Sequence, residues 1–126
     1  VGGQNLCLVA PAGYVDFLAL QRRAALVITD SGGIQEETTF LGVPCLTMRT
    51  TTERPVTTSL GTNQLVGDEV ESLKGHVTKI LNGERRVAIR PPLWDGHAGE
   101  RVVRVLARRL SKDSAVASSG DPASPR

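Results

Sequence analysis

Aromatic residues are nearly absent from this 126-residue chain: two phenylalanines, one tyrosine and one tryptophan make up 3% of it. So sparse a set excludes the base-stacking surfaces of single-stranded nucleic-acid binders. Charge of one sign is also scarce. Fifteen Lys and Arg face thirteen Asp and Glu, and the resulting net +2 is too small to imply a nucleic-acid or membrane partner. No apolar run is long enough to span a bilayer, and no leader segment is visible. Only two cysteines are present, too few for a disulfide scaffold. Cys7 and Cys45 each lie in an apolar, strand-like run and read as reduced, buried thiols, which sets the expectation of a cytoplasmic protein. Met48 is the only methionine and does not begin the chain, so a piece of a longer protein is expected.

What is present is the composition of an ordinary globular protein, 40% apolar and 22% charged, with length for one domain at most. Residues 6–9 (Leu-Cys-Leu-Val) form a short continuous apolar run, read as a buried strand and followed by a Pro-Ala-Gly turn. Helical patterning covers 14–23, ending in Arg22 and Arg23 where the dipole favours cations. A strand at 26–29, a helix at 33–41 stopped by Gly42 and Pro44, and a strand at 45–48 follow. A polar loop then runs over 49–63, with a brief strand at 64–66. Residues 70–81 are amphipathic, with Val70, Leu73, Val77, Ile80 and Leu81 on one face. Asp95 is placed to cap a last helix whose apolar face carries Ala98, Val102, Val105 and Leu106. From about Ser111 the chain is rich in Ser, Ala, Pro, Asp and Gly, and 111–126 read as a disordered tail. Strands alternating with helices at this spacing imply a parallel α/β sheet, thin at three or four strands.

The stretch Thr29-Asp30-Ser31-Gly32-Gly33 carries the chemistry. A helix entered through two glycines presents unpaired backbone N–H groups at its positive end, with no Cβ in a ligand's way. At the carboxyl end of a strand, that arrangement favours a phosphate. The loop has no lysine and the wrong spacing for a P-loop or a dinucleotide fingerprint, and Gly-Gly by itself is common in tight turns. On the following helix, Ile34, Thr38 and Leu41 define the inward stripe and Glu36 points away. Glu37 falls on the shoulder of that stripe. A carboxylate there needs a partner, either a cation such as Arg54 or the hydroxyls of a ligand.

Thr29-Asp30-Ser31-Gly32-Gly33-Ile34-Gln35-Glu36-Glu37, then Leu41-Gly42-Val43-Pro44, Thr52-Glu53-Arg54-Pro55, Gly61 and Leu65-Val66-Gly67 closely resemble the UDP-N-acetylglucosamine 2-epimerase family, in order and spacing. The resemblance runs from about residue 6 to 106. It implies an α/β, Rossmann-like parallel sheet belonging to the C-terminal domain of a glycosyltransferase-B-type two-domain fold, with 1–110 as a partial UDP-binding domain. The implied reaction interconverts UDP-N-acetylglucosamine and UDP-N-acetylmannosamine by elimination and re-addition of UDP, with no redox or metal cofactor.

Residue by residue, the resemblance assigns Ser31, Gly32 and Gly33 to the diphosphate and Glu37 to the ribose hydroxyls. It assigns Arg54 to the binding site, by phosphate contact or by pairing with a glutamate. Phe17 is implied near the uracil, where a plain core role is the alternative, and the turn containing Ala12 would offer backbone groups to the base. No catalytic acid or base is implied in this segment: those groups belong to the N-terminal domain or the early C-terminal one. His76 reads as a solvated helix residue and His97 as a first-turn one. Residues 91–96 (Pro-Pro-Leu-Trp-Asp-Gly) depart from the family's usual Asn-Pro-aromatic-Gly-Asp-Gly lead-in. The implied partners are UDP-N-acetylglucosamine, the N-terminal domain and, for the full-length protein, a second copy. A glycosyltransferase of the same architecture, or an inactive nucleotide-sugar-binding module, would hold the same nucleotide.

Overall fold

The computed structural model describes residues 5–118. They divide into two compact units, the first ending at Pro91 and the second beginning at Pro92. In the first unit the order is α1 (Tyr14–Arg23), β1 (Val27–Thr29), α2 (Gly32–Leu41), β2 (Cys45–Thr47), α3 (Pro55–Ser59), β3 (Asn63–Leu65) and α4 (Val70–Leu81). The three strands form one parallel sheet in the order β1-β2-β3, with Val27 opposite Cys45 and Cys45 opposite Asn63. The parallel α/β sheet expected from the alternation of elements, and the Rossmann-like class that the resemblance implies, are the observed ones.

β2 is the central strand and all three of its residues are fully buried. Because side chains alternate along a strand, Leu46 faces one side of the sheet while Cys45 and Thr47 face the other. The Leu46 side is apolar. Leu46, Val66 and Ile80 form its buried cluster, with Leu26, Leu73 and Val77 packed against it. Three of the five positions expected on the inward face of α4 do this packing. Val70 and Leu81, at its two ends, remain exposed. The Cys45 side is polar: Gln35, Thr38, Thr47, Thr57 and Asn63 have no accessible surface.

α2 ends as its sequence dictates. Gly42 adopts φ 72°, the left-handed region that glycine enters without Cβ strain, and its N–H returns to the carbonyls of Thr38 and Thr39. The strand expected at 6–9 is not formed. Those residues have no regular structure, and Leu6, Leu8 and Val9 are exposed, as is the Cys7 thiol. An apolar run becomes a strand only where a neighbour offers a ladder, and among the described residues β1 is paired with β2 alone. Cys45 is buried as expected, and desolvation pushes its thiol pKa up. The polar loop expected over 49–63 contains α3, a single short helix entered through Pro55 at its first position.

The second unit is built on α5 (Ala98–Ser118). Its entry is fixed by Asp95, whose Oδ1 accepts from the His97 N–H at 3.0 Å and from Arg101 Nη1 at 2.9 Å. Val102, Val105 and Leu106, expected on an inward face, are exposed. α5 also carries helix through 111–118, which composition alone assigns to a disordered tail. That octet contains neither Gly nor Pro, so nothing in it stops a helix already under way. The rest of the expected tail, 119–126, lies outside the described residues. No helix among the described residues is long and apolar enough to cross a membrane.

Candidate functional site

In a parallel sheet the helix after a strand begins at the strand's carboxyl end, so the start of α2 lies at that edge, directly after β1. Ser31 is the N-cap residue, with extended backbone (φ −85°, ψ 129°) and a hydroxyl that makes no capping bond. Its own N–H donates to Thr29 Oγ1 at 3.0 Å, which ties the turn to the last residue of β1. The first amides of a helix have no partner within it, so those of Gly32 and Gly33 face outward at the positive end of the dipole. The two glycines differ. Glu53 Oε1 stands 2.6 Å from where a Cβ on Gly32 would be, whereas Gly33 is open, its nearest such neighbour being Ser31 Oγ at 4.0 Å.

The polar segment 52–55 lies across this helix start as a strap. Arg54 Cγ is 3.9 Å from the Cβ position of Gly32, and its Nε pairs with Glu36 Oε1 at 3.2 Å. Glu53 pairs with Arg49 at 3.2 Å. The alternative in which Arg54 neutralises Glu37 is therefore not the one adopted. The glutamate that holds Arg54 is Glu36, one residue earlier and on the exposed side of α2. Glu37 instead accepts from Gln21 Nε2 at 2.5 Å, a bond from α2 to the buried Gln21 of α1. Phe17 stands one helical turn before Gln21 and is 38% exposed, which is not a core position. Ala12 is exposed in the segment leading into α1.

The structure thus brings together Ser31, Gly32, Gly33 and Arg54 at one helix start. Glu37 lies further along α2, and Phe17 and Ala12 belong to α1 and its approach. His76 is half-buried and its Nδ1 lies 2.8 Å from the Ser72 carbonyl. His97 precedes α5 rather than opening it, and its Nδ1 lies 3.0 Å from Glu100 Oε1. Leu93, in the divergent segment before α5, takes φ 69°, a left-handed conformation uncommon for a leucine. No group of three or more metal-ligating side chains occurs among the described residues.

Sequence reasoning missed the residues that build the floor of the strap. Gln35 Oε1 accepts from Thr52 Oγ1 at 2.6 Å and from Asn63 Nδ2 at 3.1 Å. Asn63 also bonds Thr47 and Thr57, at 2.6 and 3.1 Å. The signal available was the polar stripe Gln35, Thr38, Thr39 at helical spacing. That is the buried stripe of α2, whereas Ile34 and Leu41 are only half-buried.

Fold and site together define a Rossmann-like α/β unit with a glycine-entered helix start beneath an arginine-bearing strap. The chain belongs to the UDP-N-acetylglucosamine 2-epimerase family, whose model matches residues 2–107. It is 48% identical over 103 residues to the UDP-N-acetylglucosamine 2-epimerase of Methanocaldococcus jannaschii, covering 82% of this chain and 28% of that protein. To the Escherichia coli K12 enzyme of the same name it is 40% identical over 107 residues, with the same coverage. The chain thus spans less than a third of the length of these relatives. Among solved structures, the M. jannaschii enzyme in complex with UDP-GlcNAc and UDP superposes with a TM-score of 0.70 at 47% identity, covering 79% of this chain and 27% of that one. The Neisseria meningitidis enzyme bound to UDP-GlcNAc superposes with a TM-score of 0.76 at 35% identity, covering 83% and 29%. These relatives have the glycosyltransferase-B-type fold expected from the sequence.

Proposed function

We propose that this chain holds the UDP part of UDP-N-acetylglucosamine in an enzyme that inverts C2 of the sugar to give UDP-N-acetylmannosamine. The observation that carries this reading is the start of α2, open at Gly33, with the Glu53 carboxylate over Gly32 and the Arg54 side chain beside it, its Cγ 3.9 Å from the Gly32 Cβ position. Family membership and the nucleotide-sugar complexes of the solved relatives support it.

The reaction loses the C2 proton and breaks the bond from C1 to the diphosphate oxygen. The electron pair leaves on UDP, and the sugar becomes a 2-acetamidoglucal. Re-addition of UDP, with protonation of C2 from the other face, gives the epimer. The charge that develops on the diphosphate is met by the Ser31 hydroxyl, the Gly32 and Gly33 amides and the Arg54 guanidinium. Glu37, held by Gln21, accepts from the ribose hydroxyls. Phe17 covers the uracil and the segment at Ala12 offers backbone groups to its edge. The groups that move the C2 proton lie outside this segment, so the 126 residues alone bind UDP without turnover. The N-terminal domain, a second copy and a cytoplasmic location complete the proposal.

The test is product analysis of the full-length protein with UDP-N-acetylglucosamine, with and without a sugar acceptor. UDP-N-acetylmannosamine formed without acceptor supports the proposal. Sugar transfer that requires an acceptor replaces it with a glycosyltransferase, and saturable UDP binding with no product replaces it with a binding module.

A further inference from the structure

Arg54 takes a backbone conformation that is neither helical nor extended, φ −118° and ψ 58°, and both of its main-chain polar groups are held by threonine hydroxyls. Its N–H donates to Thr52 Oγ1 at 3.0 Å and its carbonyl accepts from Thr57 Oγ1 at 2.8 Å. The direction of every further bond follows from that carbonyl. A carbonyl only accepts, so the single Thr57 hydroxyl proton is spent on Arg54, and Thr57 Oγ1 must accept from Asn63 Nδ2. That fixes the Asn63 amide. Its Oδ1 takes the Thr47 hydroxyl proton, and the second Nδ2 proton goes to Gln35 Oε1. Gln35 Oε1 also accepts the Thr52 hydroxyl proton, so toward the Arg54 N–H Thr52 Oγ1 is an acceptor. Gln35 and Asn63 are completely buried, so neither touches a ligand at the helix start. The ring closes at a cost: with Oε1 committed, Gln35 Nε2 is buried without a partner among the described residues.

We infer that Gln35 and Asn63 are positioning residues that fix Arg54 over the start of α2, acting through Thr52 and Thr57. This rests on the UDP-binding reading of Arg54 above. A charged fork works on a diphosphate only where it is held in register, so loosening the ring should cost affinity although no contact to the ligand is lost.

The experiment is UDP titration calorimetry on the full-length protein and its variants Arg54→Ala, Gln35→Met, Thr52→Val and Thr52→Ser, with the doubles Gln35→Met/Arg54→Ala and Thr52→Val/Arg54→Ala. Thermal unfolding of each variant identifies any that fail to fold. Thr52→Val opens the same ring from a half-buried position, so the test stands if Gln35→Met does not fold. Gln35→Met and Thr52→Val should each weaken UDP binding about 10-fold or more. On the Arg54→Ala background, each should cost no more than about twofold further, because the residue acted upon is gone. Thr52→Ser, which keeps the hydroxyl, should recover most of the loss seen with valine. Full affinity in both single variants overturns the inference, as does an equal cost with and without Arg54, which would mark a merely structural role. If the unsubstituted protein binds no UDP, the functional reading itself fails. If it binds but Arg54→Ala does not weaken it, the placement of Arg54 fails and the inference with it.

Discussion

Arg54 is held by Glu36, Nε to Oε1 at 3.2 Å, with the two side chains 45% and 41% exposed. An ion pair this open is worth about 1 kcal/mol or less. A diphosphate would offer the same guanidinium two bidentate faces and more charge, so on the proposed UDP reading the pair is a resting contact that the ligand exchanges. Glu36→Gln should therefore leave the unfolding temperature almost unchanged and tighten UDP binding by no more than about fivefold. Arg54→Ala should weaken it by about tenfold or more. Calorimetric titration of both variants checks this, and a large loss of affinity in Glu36→Gln would mean that Glu36 itself serves the ligand.

The Gln21–Glu37 bond, 2.5 Å between α1 and α2, leaves one Glu37 oxygen for another donor. If that donor is a ribose hydroxyl, discrimination against a sugar lacking it depends on Glu37. The full-length protein should bind UDP more tightly than 2′-deoxyuridine diphosphate, and Glu37→Gln should narrow that gap by weakening UDP alone. Gln21→Ala, which frees Glu37 to swing, should do the same to a smaller degree. An undiminished preference for UDP in Glu37→Gln would remove the ribose assignment.

The strand-to-helix turn at the start of α2 was legible because it rests on local chemistry: a strand, two glycines and a helix follow from adjacent residues. α1 and α4 were legible for the same reason, and their observed bounds are the expected ones. The partner of Arg54 was not legible, since Glu36 and Glu37 are neighbours in sequence and differ only in which way the strap crosses the helix. The ring around Gln35 was hidden further, because it joins residues 28 positions apart, from Gln35 to Asn63, through a sheet register no periodicity reveals. The run at 6–9 misled for the complementary reason. Its apolar pattern specifies a strand, but strand pairing depends on a neighbour elsewhere in space.

Gly61 is required by packing, not by backbone conformation. A Cβ there would lie 2.3 Å from Thr39 Oγ1, 2.5 Å from Thr39 Cγ2 and 2.6 Å from the Thr57 carbonyl. Thr39 is buried and the Thr57 carbonyl is main chain, so neither can yield cheaply. Gly61→Ala should destabilise the fold by about 1–3 kcal/mol. Gly33→Ala meets no such obstacle, and in the first turn of a helix the exchange should leave stability unchanged or slightly raised. The same added methyl lies where the diphosphate is proposed to sit, so Gly33→Ala should lose UDP affinity while holding or gaining stability. Denaturant unfolding and UDP titration of the two variants separate a packing glycine from a binding one. Equal stability in both would show that the Thr39 side chain yields after all.

In the second unit, Asp95 is held by Arg101 and by the His97 N–H, which together lower its carboxyl pKa from 3.8 to about 2. The sign follows from which form the fold prefers. The folded value lies below the unfolded one, so the carboxylate form is favoured by folding. Its contribution is fully present above about pH 4 and is lost as the pH falls towards 2. The entry to α5 should therefore be indifferent to pH over the neutral and mildly acidic range and fray only below about pH 3. Asp95→Asn should abolish that acid step while keeping an oxygen to accept from His97. Carboxyl chemical shifts of Asp95, followed with the amide shifts of residues 97–101, check it. A midpoint at the ordinary aspartate value would show that the Arg101 contact is not maintained in solution.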